Sequence, residues 1–306
     1  MGLVKLSNAP HIKHSDNTAY VMRDVLIALI PPFVWGIYVF GLRALAVCAI
    51  SVLSCVATEA VYCFVTKKPI AVLDFSATVT GLILGLCYPV NVPLWIPVIG
   101  GVLSVAVAKM IFGGFGKKLF NSALVGYLLT SVVFSSLAKL YATPSSVMTG
   151  EVNPRDLMAL FLGEATGGIG EVSAVMLLLG FVYLLLRRVI SWNTTVVFAG
   201  TVFILRILFP GPENEPIYYA TASLLSGGVL FAAVFTANDY STTPVTDGGK
   251  LLFSAGCGAL SFVFLYVFGF AQGTAAAVLV MNLFARPLDK LLSPVPFGGT
   301  NKVKKK

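Results

Sequence analysis

Long apolar runs alternate with short polar connections along almost the whole chain. Hydropathy divides it into ten segments: Val25 to Phe40, Ala44 to Val65, Ser76 to Tyr88, Leu94 to Phe112, Ser122 to Leu137, Ile169 to Leu186, Val189 to Phe209, Tyr218 to Ala237, Leu251 to Phe270 and Gly273 to Leu288. Most approach the ~20 residues a helix needs to cross a bilayer. The third is shorter and stops at Pro89, which predicts a broken or tilted span. Non-helical backbone at that depth must lie against protein or water, because lipid offers it no hydrogen bonds. The pattern predicts an all-α polytopic membrane protein of about ten transmembrane helices. A polar arm covers residues 1–24, a membrane domain 25–292 and a basic tail 293–306. The arm has no short apolar core followed by a small-residue cleavage site, so no removable leader is expected.

Composition narrows the class. Of 306 residues, 57% are hydrophobic and 11% charged, with mean hydropathy +0.90, whereas soluble domains carry about a quarter charged residues. A water-facing exterior needs more charge than this. The net charge of +8 is also unevenly placed. With both termini on one side, only Arg43, Lys139, Arg155 and Arg206 of the 21 Lys and Arg fall on the other. Short cytoplasmic loops retain Lys and Arg, so both termini are expected in the cytoplasm. The basic excess is therefore a topology signal that implies no nucleic-acid partner; the Lys-rich tail reads as solvated, with contact to anionic membrane lipid as the other reading.

The connection from Lys139 to Gly168 is the exception to short loops, and it falls on the outer face. Loops beyond ~15 residues usually carry a function or are disordered. This one holds Ala142-Thr143-Pro144 and Ala165-Thr166-Gly167, and Asp156 to Leu162 is expected to form an interfacial helical turn. The sixth segment then opens with Gly167-Gly168-Ile169-Gly170-Glu171. A glycine-rich helix start exposes backbone N–H groups that hold a phosphate. Tight helix packing is the other reading of the same glycines.

Ionisable side chains at membrane depth are costly and mark function or pairing. Glu59 lies inside the second segment, and either pairs with Lys109 or stands on an ion path; Asp239, after the eighth segment, is the other ion-path candidate. Cys48, Cys55, Cys63, Cys87 and Cys257 show no metal-binding spacing and read as small buried hydrophobes. His11 and His14 both sit in the polar arm, which leaves zinc chemistry and His-based triads without support, and no residue is assigned a catalytic role. Gly81 and Gly85 form a small-xxx-small pair suited to close helix packing. Phe120-Asn121 before the fifth segment and Met281-Asn282 in the tenth echo one another, as in inverted repeats of five helices each.

Several blocks in order carry a resemblance. They are Ala9-Pro10-His11-Ile12, Val21 to Pro31, Ser76-Ala77 with Thr80-Gly81-Leu82, Ala108 to Gly114 with Phe120-Asn121, Gly167 to Ser173, and Thr236 to Thr246 with Gly248. Together they resemble the RnfD/NqrB family, and the Rnf branch more than the quinone reductase branch. The resemblance implies two five-helix halves like those of urea and ammonium channels. It implies a flavin-carrying membrane subunit of a complex that moves electrons between ferredoxin and NAD, coupled to sodium or proton translocation, with no complete reaction in this chain alone. It further implies FMN joined through its phosphate to a threonine in a Ser/Thr-x-Ala-Thr motif, and a second, noncovalent riboflavin. Thr143 is the first-choice acceptor, although Leu140 stands where the motif has Ser or Thr; Thr166 is the alternative. Gly167, Gly168 and Gly170 are the candidate phosphate contacts. The partners implied are the other membrane and peripheral subunits, and the location a bacterial cytoplasmic membrane. A solute channel on the same scaffold and a flavin-free structural subunit are the alternatives.

Overall fold

A computed structural model of the protein describes residues 18–67, 74–111, 118–134, 157–163, 167–209, 215–226, 228–270 and 272–293. Among them every regular element is helical: α1 (Thr18–Phe40), α2 (Leu42–Val65), α3 (Ser76–Cys87), α4 (Trp95–Val102), α5 (Ser122–Val133), α6 (Leu157–Leu162), α7 (Ala174–Leu186), α8 (Trp192–Leu208), α9 (Pro216–Leu225), α10 (Gly228–Phe231), α11 (Asp247–Phe262) and α12 (Gly273–Leu292). Three of them widen into π-helix without a break. α4 continues through Leu103–Met110, α10 through Ala232–Thr236 and α11 through Val263–Val267.

The bundle is inside out relative to a soluble protein. Its exterior carries Phe64, Leu42, Leu186 and Tyr38, with Phe64 82% exposed, while Ser51, Glu59, Ser104, Lys109, Thr194, Ser254 and Asn282 are buried. Water would drive those apolar groups inward, so this surface suits hydrocarbon. Thr18–Phe40, Leu42–Val65 and Asp247–Val267 are each long and apolar enough to cross a membrane. The pair Pro216–Leu225 and Gly228–Thr236, bent by 55°, makes a fourth if counted as one span, and five further apolar helices are shorter.

Small residues bring the helices together. A Cβ on Gly81 would stand 2.6 Å from Val52 Cα, and one on Gly85 2.8 Å from Cys48 Cα, so α3 packs backbone to backbone on α2 as the spacing of the two glycines predicts. α2 also packs on α4, and α4 on α5; likewise α8 packs on α9 and α11, and α11 on α12, with α1 lying against α7. The buried face of α1 follows helical spacing through Met22, Leu29, Pro32, Gly36 and Val39. Asn121 caps α5 by accepting from the Ala123 N–H at 3.1 Å, and Thr246 caps α11 by accepting from Gly249 at 3.2 Å.

Two boundaries differ from expectation. α1 begins at Thr18, ahead of Val25, because Asp24 is buried by pairing with Arg187 Nε at 3.1 Å and accepting from the Tyr183 hydroxyl at 3.1 Å. Hydropathy discounts a charge that a partner has neutralised. The sixth segment becomes helical at Ala174 rather than at its glycine-rich opening, and Ser173 is its cap. The third segment is short as expected: α3 stops at Cys87 and irregular backbone follows to Leu94. The interfacial turn expected within Asp156 to Leu162 is α6.

Candidate functional site

The irregular backbone after α3 meets the irregular backbone before α7. Ile169 N–H donates to Tyr88 O at 3.0 Å and Gly170 N–H to Leu86 O at 2.9 Å, which supplies bonds that lipid would deny. Only glycine permits the approach at position 168, where a Cβ would sit 2.6 Å from both Leu86 O and Cys87 O. Glu171 folds back so that its Oε2 accepts from Gly168 N–H at 2.9 Å. The expected anion at this turn is therefore supplied by the chain itself. Of the candidate phosphate contacts, Gly168 has spent its N–H on Glu171 and Gly170 on Leu86, while Gly167 lies against the Glu171 side chain. A helix that starts at Ala174 does not present these groups as a free N-terminus.

Beside this turn lies a cavity of about 340 Å³ between the two sets of helices. Its wall includes Glu171, Tyr127 on α5, Ser226 at the α9–α10 bend, Tyr266 at the end of α11, and Gln272 and Thr274 at the start of α12.

The other buried carboxylates have cations. Lys109 Nζ lies 2.7 Å from Glu59 Oε1 and donates to Ser76 Oγ at 2.6 Å, and both charged side chains are 2% exposed. The π-helical turn of α4 carries Lys109 to this inward position; the wider turn shifts side chains around the axis, as π-bulges commonly do at functional sites. Glu59 Oε2 has no hydrogen-bond partner. Ser76 in turn donates to Asp74 Oδ1, which sits at the chain's entry into α3.

Asp239 is paired with Lys118 at 2.7 Å, beneath the π-helical end of α10. Next to it Asn121 donates to Thr236 O at 3.3 Å. With its amide turned to satisfy both neighbours, Asn282 accepts from the Asn121 backbone N–H at 3.1 Å, so the two echoing segments meet. A second cavity, of about 460 Å³, opens here between Lys118, Tyr240, Thr242, Asn282, Arg286 and Asp289. Asp289 lies past Leu288, where the tenth predicted segment ends. Burial acts to raise its carboxyl, but the N–H groups of Thr246 and Val245, the Thr246 hydroxyl and Lys250 outweigh it and hold the carboxyl below the usual Asp range.

The structure thus brings Gly167, Gly168 and Gly170 together around Glu171, and gives Glu59 and Asp239 a lysine each. Thr143 and Thr166 lie outside the described residues. Sequence reasoning missed Lys118 and Glu171. Lys118 was one of a Lys-Lys pair that looked like loop charge. Glu171 was legible: a carboxylate three residues after a candidate N–H donor has the reach of a capping box. The five cysteines are free and buried as expected, and among the described residues no His, Cys, Asp and Glu cluster to hold a metal.

An apolar-surfaced helical bundle with interrupted helices, buried ion pairs and internal polar cavities defines a polytopic membrane protein with a polar interior. The family model described as NQR2, RnfD, RnfE matches residues 5–298, and the chain belongs to that family. A subunit of the Na(+)-translocating ferredoxin:NAD(+) oxidoreductase complex of Acetobacterium woodii is 38% identical, over 98% of this chain and 96% of its own. The corresponding subunit of the proton-translocating ferredoxin:NAD(+) oxidoreductase complex of Clostridium ljungdahlii is 32% identical over 96% of each. That of an ion-translocating oxidoreductase complex of Halorhodospira halophila is 31% identical over 97% and 96%.

Proposed function

We propose that the chain is the flavin-carrying membrane subunit of an Rnf-type complex, in which electrons pass between ferredoxin and NAD while sodium or protons cross the membrane. The observation that carries this reading is relatedness, along the length of both chains, to one and the same subunit of two ferredoxin:NAD(+) oxidoreductase complexes. Ferredoxin and NAD chemistry belong to partner subunits, and this chain completes no reaction alone. The scaffold of the reading is ten spans in two halves of five, supported by the repeated packing order of α2 to α5 and α8 to α12 and by the meeting of Asn121 with Asn282. Both termini lie in the cytoplasm of a bacterial cell, which puts the Lys139 to Gly168 connection outside.

That connection carries FMN, esterified through its phosphate to Thr143, with Thr166 as the alternative. Bound there, FMN supplies one-electron carriage; the surrounding chain contributes position and exclusion of water. A noncovalent riboflavin fits the cavity of about 460 Å³ by volume and by its donors Lys118, Thr242 and Arg286, with Tyr240 at its wall. The test is single substitution. Thr143→Ala in the assembled complex is expected to abolish flavin fluorescence of this band on a denaturing gel, and Thr166→Ala to leave it. Loss of fluorescence only in Thr166→Ala moves the acceptor, and a dark wild-type band overturns the covalent assignment.

A further inference from the structure

Three carboxylates within the bundle have a basic partner, Asp24 with Arg187, Glu59 with Lys109 and Asp239 with Lys118, and Asp74 accepts from both the backbone N–H and the hydroxyl of Ser76 at the entry to α3. Glu171 is served less well. Among the described residues no Lys or Arg pairs with it, and the Gly168 N–H at 2.9 Å is the one hydrogen bond its carboxylate receives. A carboxylate has about four acceptor positions, and an unpaired charge removed from water is costly enough that the group neutralises itself by taking up a cation or a proton.

What Glu171 faces is not lipid but the cavity of about 340 Å³. On the same wall stands Gln272, 4% exposed, whose side-chain amide has no partner among the described residues. Thr274, the second residue of α12, likewise leaves its hydroxyl without a partner there. A side chain so enclosed, whose amide opens on the cavity and has no partner among the described residues, is a second and separate sign that something polar occupies this space. The groups facing Glu171 from the packed elements are Cys87 on α3, Tyr127 on α5 and Tyr266 on α11, with Ser226, Gln272 and Thr274; none is a cation. Carboxylate, amide and hydroxyl oxygens are the ligands hard cations take. The volume admits an ion with several waters, each needing ~30 Å³. Gly228, at the 55° break between α9 and α10, lies against the carboxylate: a Cβ there would be 3.7 Å from Glu171 Oε2.

We propose that Glu171 and Gln272 form a binding site for the translocated cation, and that the Glu171 carboxylate exchanges that cation, sodium or a proton, with the cavity. This deepens the ion-translocating reading above and rests on it. It does not depend on where the flavin is attached.

The test labels the intact complex in its membrane with dicyclohexylcarbodiimide, which attacks protonated carboxyls in apolar surroundings, and maps the adduct by mass spectrometry. Glu171 is expected to be modified, and to be protected either by NaCl relative to choline chloride, which identifies sodium, or only by raised pH, which identifies the proton. Gln272→Ala is expected to raise the half-protecting cation concentration about tenfold, the loss typical of one bond to a charged group. Reconstituted Glu171→Gln complex that assembles with its full set of subunits and flavin is expected to lose at least about tenfold in coupled ion uptake, the scale of one charge-assisted ligand, and Glu171→Asp to regain part of it. Absence of the adduct at every pH, or ion uptake by Glu171→Gln equal to wild type, overturns the site. A complex that lacks covalent flavin yet shows a sodium-protected Glu171 refutes the electron-carrier reading and leaves this one standing.

Discussion

Lys109 and Glu59 stand 2.7 Å apart with almost no contact with solvent, and Ser76 completes the site. Breaking such a pair leaves one charge stranded, so Lys109→Met or Glu59→Gln is expected to cost about 3–5 kcal/mol, read as a lower unfolding temperature of the detergent-purified protein. Joint replacement by Met and Leu is expected to recover most of that loss, since apolar pairs of similar volume replace buried ion pairs at little cost. A double variant as weak as either single one contradicts this account. Asp289 makes a prediction in pH. Its folded-state value is lowered from 3.8, so its contribution is complete well above 3.8 and disappears as pH falls through the lower folded value. Asp289→Asn is expected to destabilise the loop before α11 at neutral pH and to match wild type in strong acid. Thermal unfolding at the two pH values checks it. Glu59 was visible in the sequence as a charge inside an apolar run, because one carboxylate at that depth needs a partner. Lys118 was not, since hydropathy cannot separate a solvated loop lysine from one that is 6% exposed and bonded to a residue far along the chain.

Among the elements, α3 was the most legible in advance. Its short length, the proline after it and the pair Gly81 and Gly85 all pointed to a broken span packed closely on a neighbour, and the approach of both glycines to α2 is what the structure contains. Gly85→Val is expected to force α2 and α3 apart at a cost of about 1–3 kcal/mol, seen as reduced yield and lower thermal stability of the folded protein. An unchanged unfolding temperature is the contrary outcome. The start of α7 was misread because glycine both begins helices and permits close approach, and composition does not say which. Contacts to Leu86 and Tyr88, distant in sequence, decided it. The π-helical turns in α4, α10 and α11 leave no composition signature, and only the structure shows that the one in α4 carries Lys109 inward.

For the molecule as a whole, hydropathy set out a membrane bundle, and the apolar exterior with a polar interior agrees; charge distribution adds the proposal that the basic loops share one side. A reporter inserted at Ser145 is expected to be active only in an outward-facing compartment; activity in the cytoplasm reverses the orientation. The internal cavities were beyond the sequence, because they form where residues from six separate segments in one case and four in the other converge. The central claim is that this chain carries electrons on a flavin bound to its outer connection. It is tested most directly by the intact mass of this polypeptide, taken from the native assembly and denatured. The account predicts a mass equal to the polypeptide plus one FMN less one water, with the increment mapping to a peptide that contains Thr143. A chain with the mass of the bare polypeptide contradicts it.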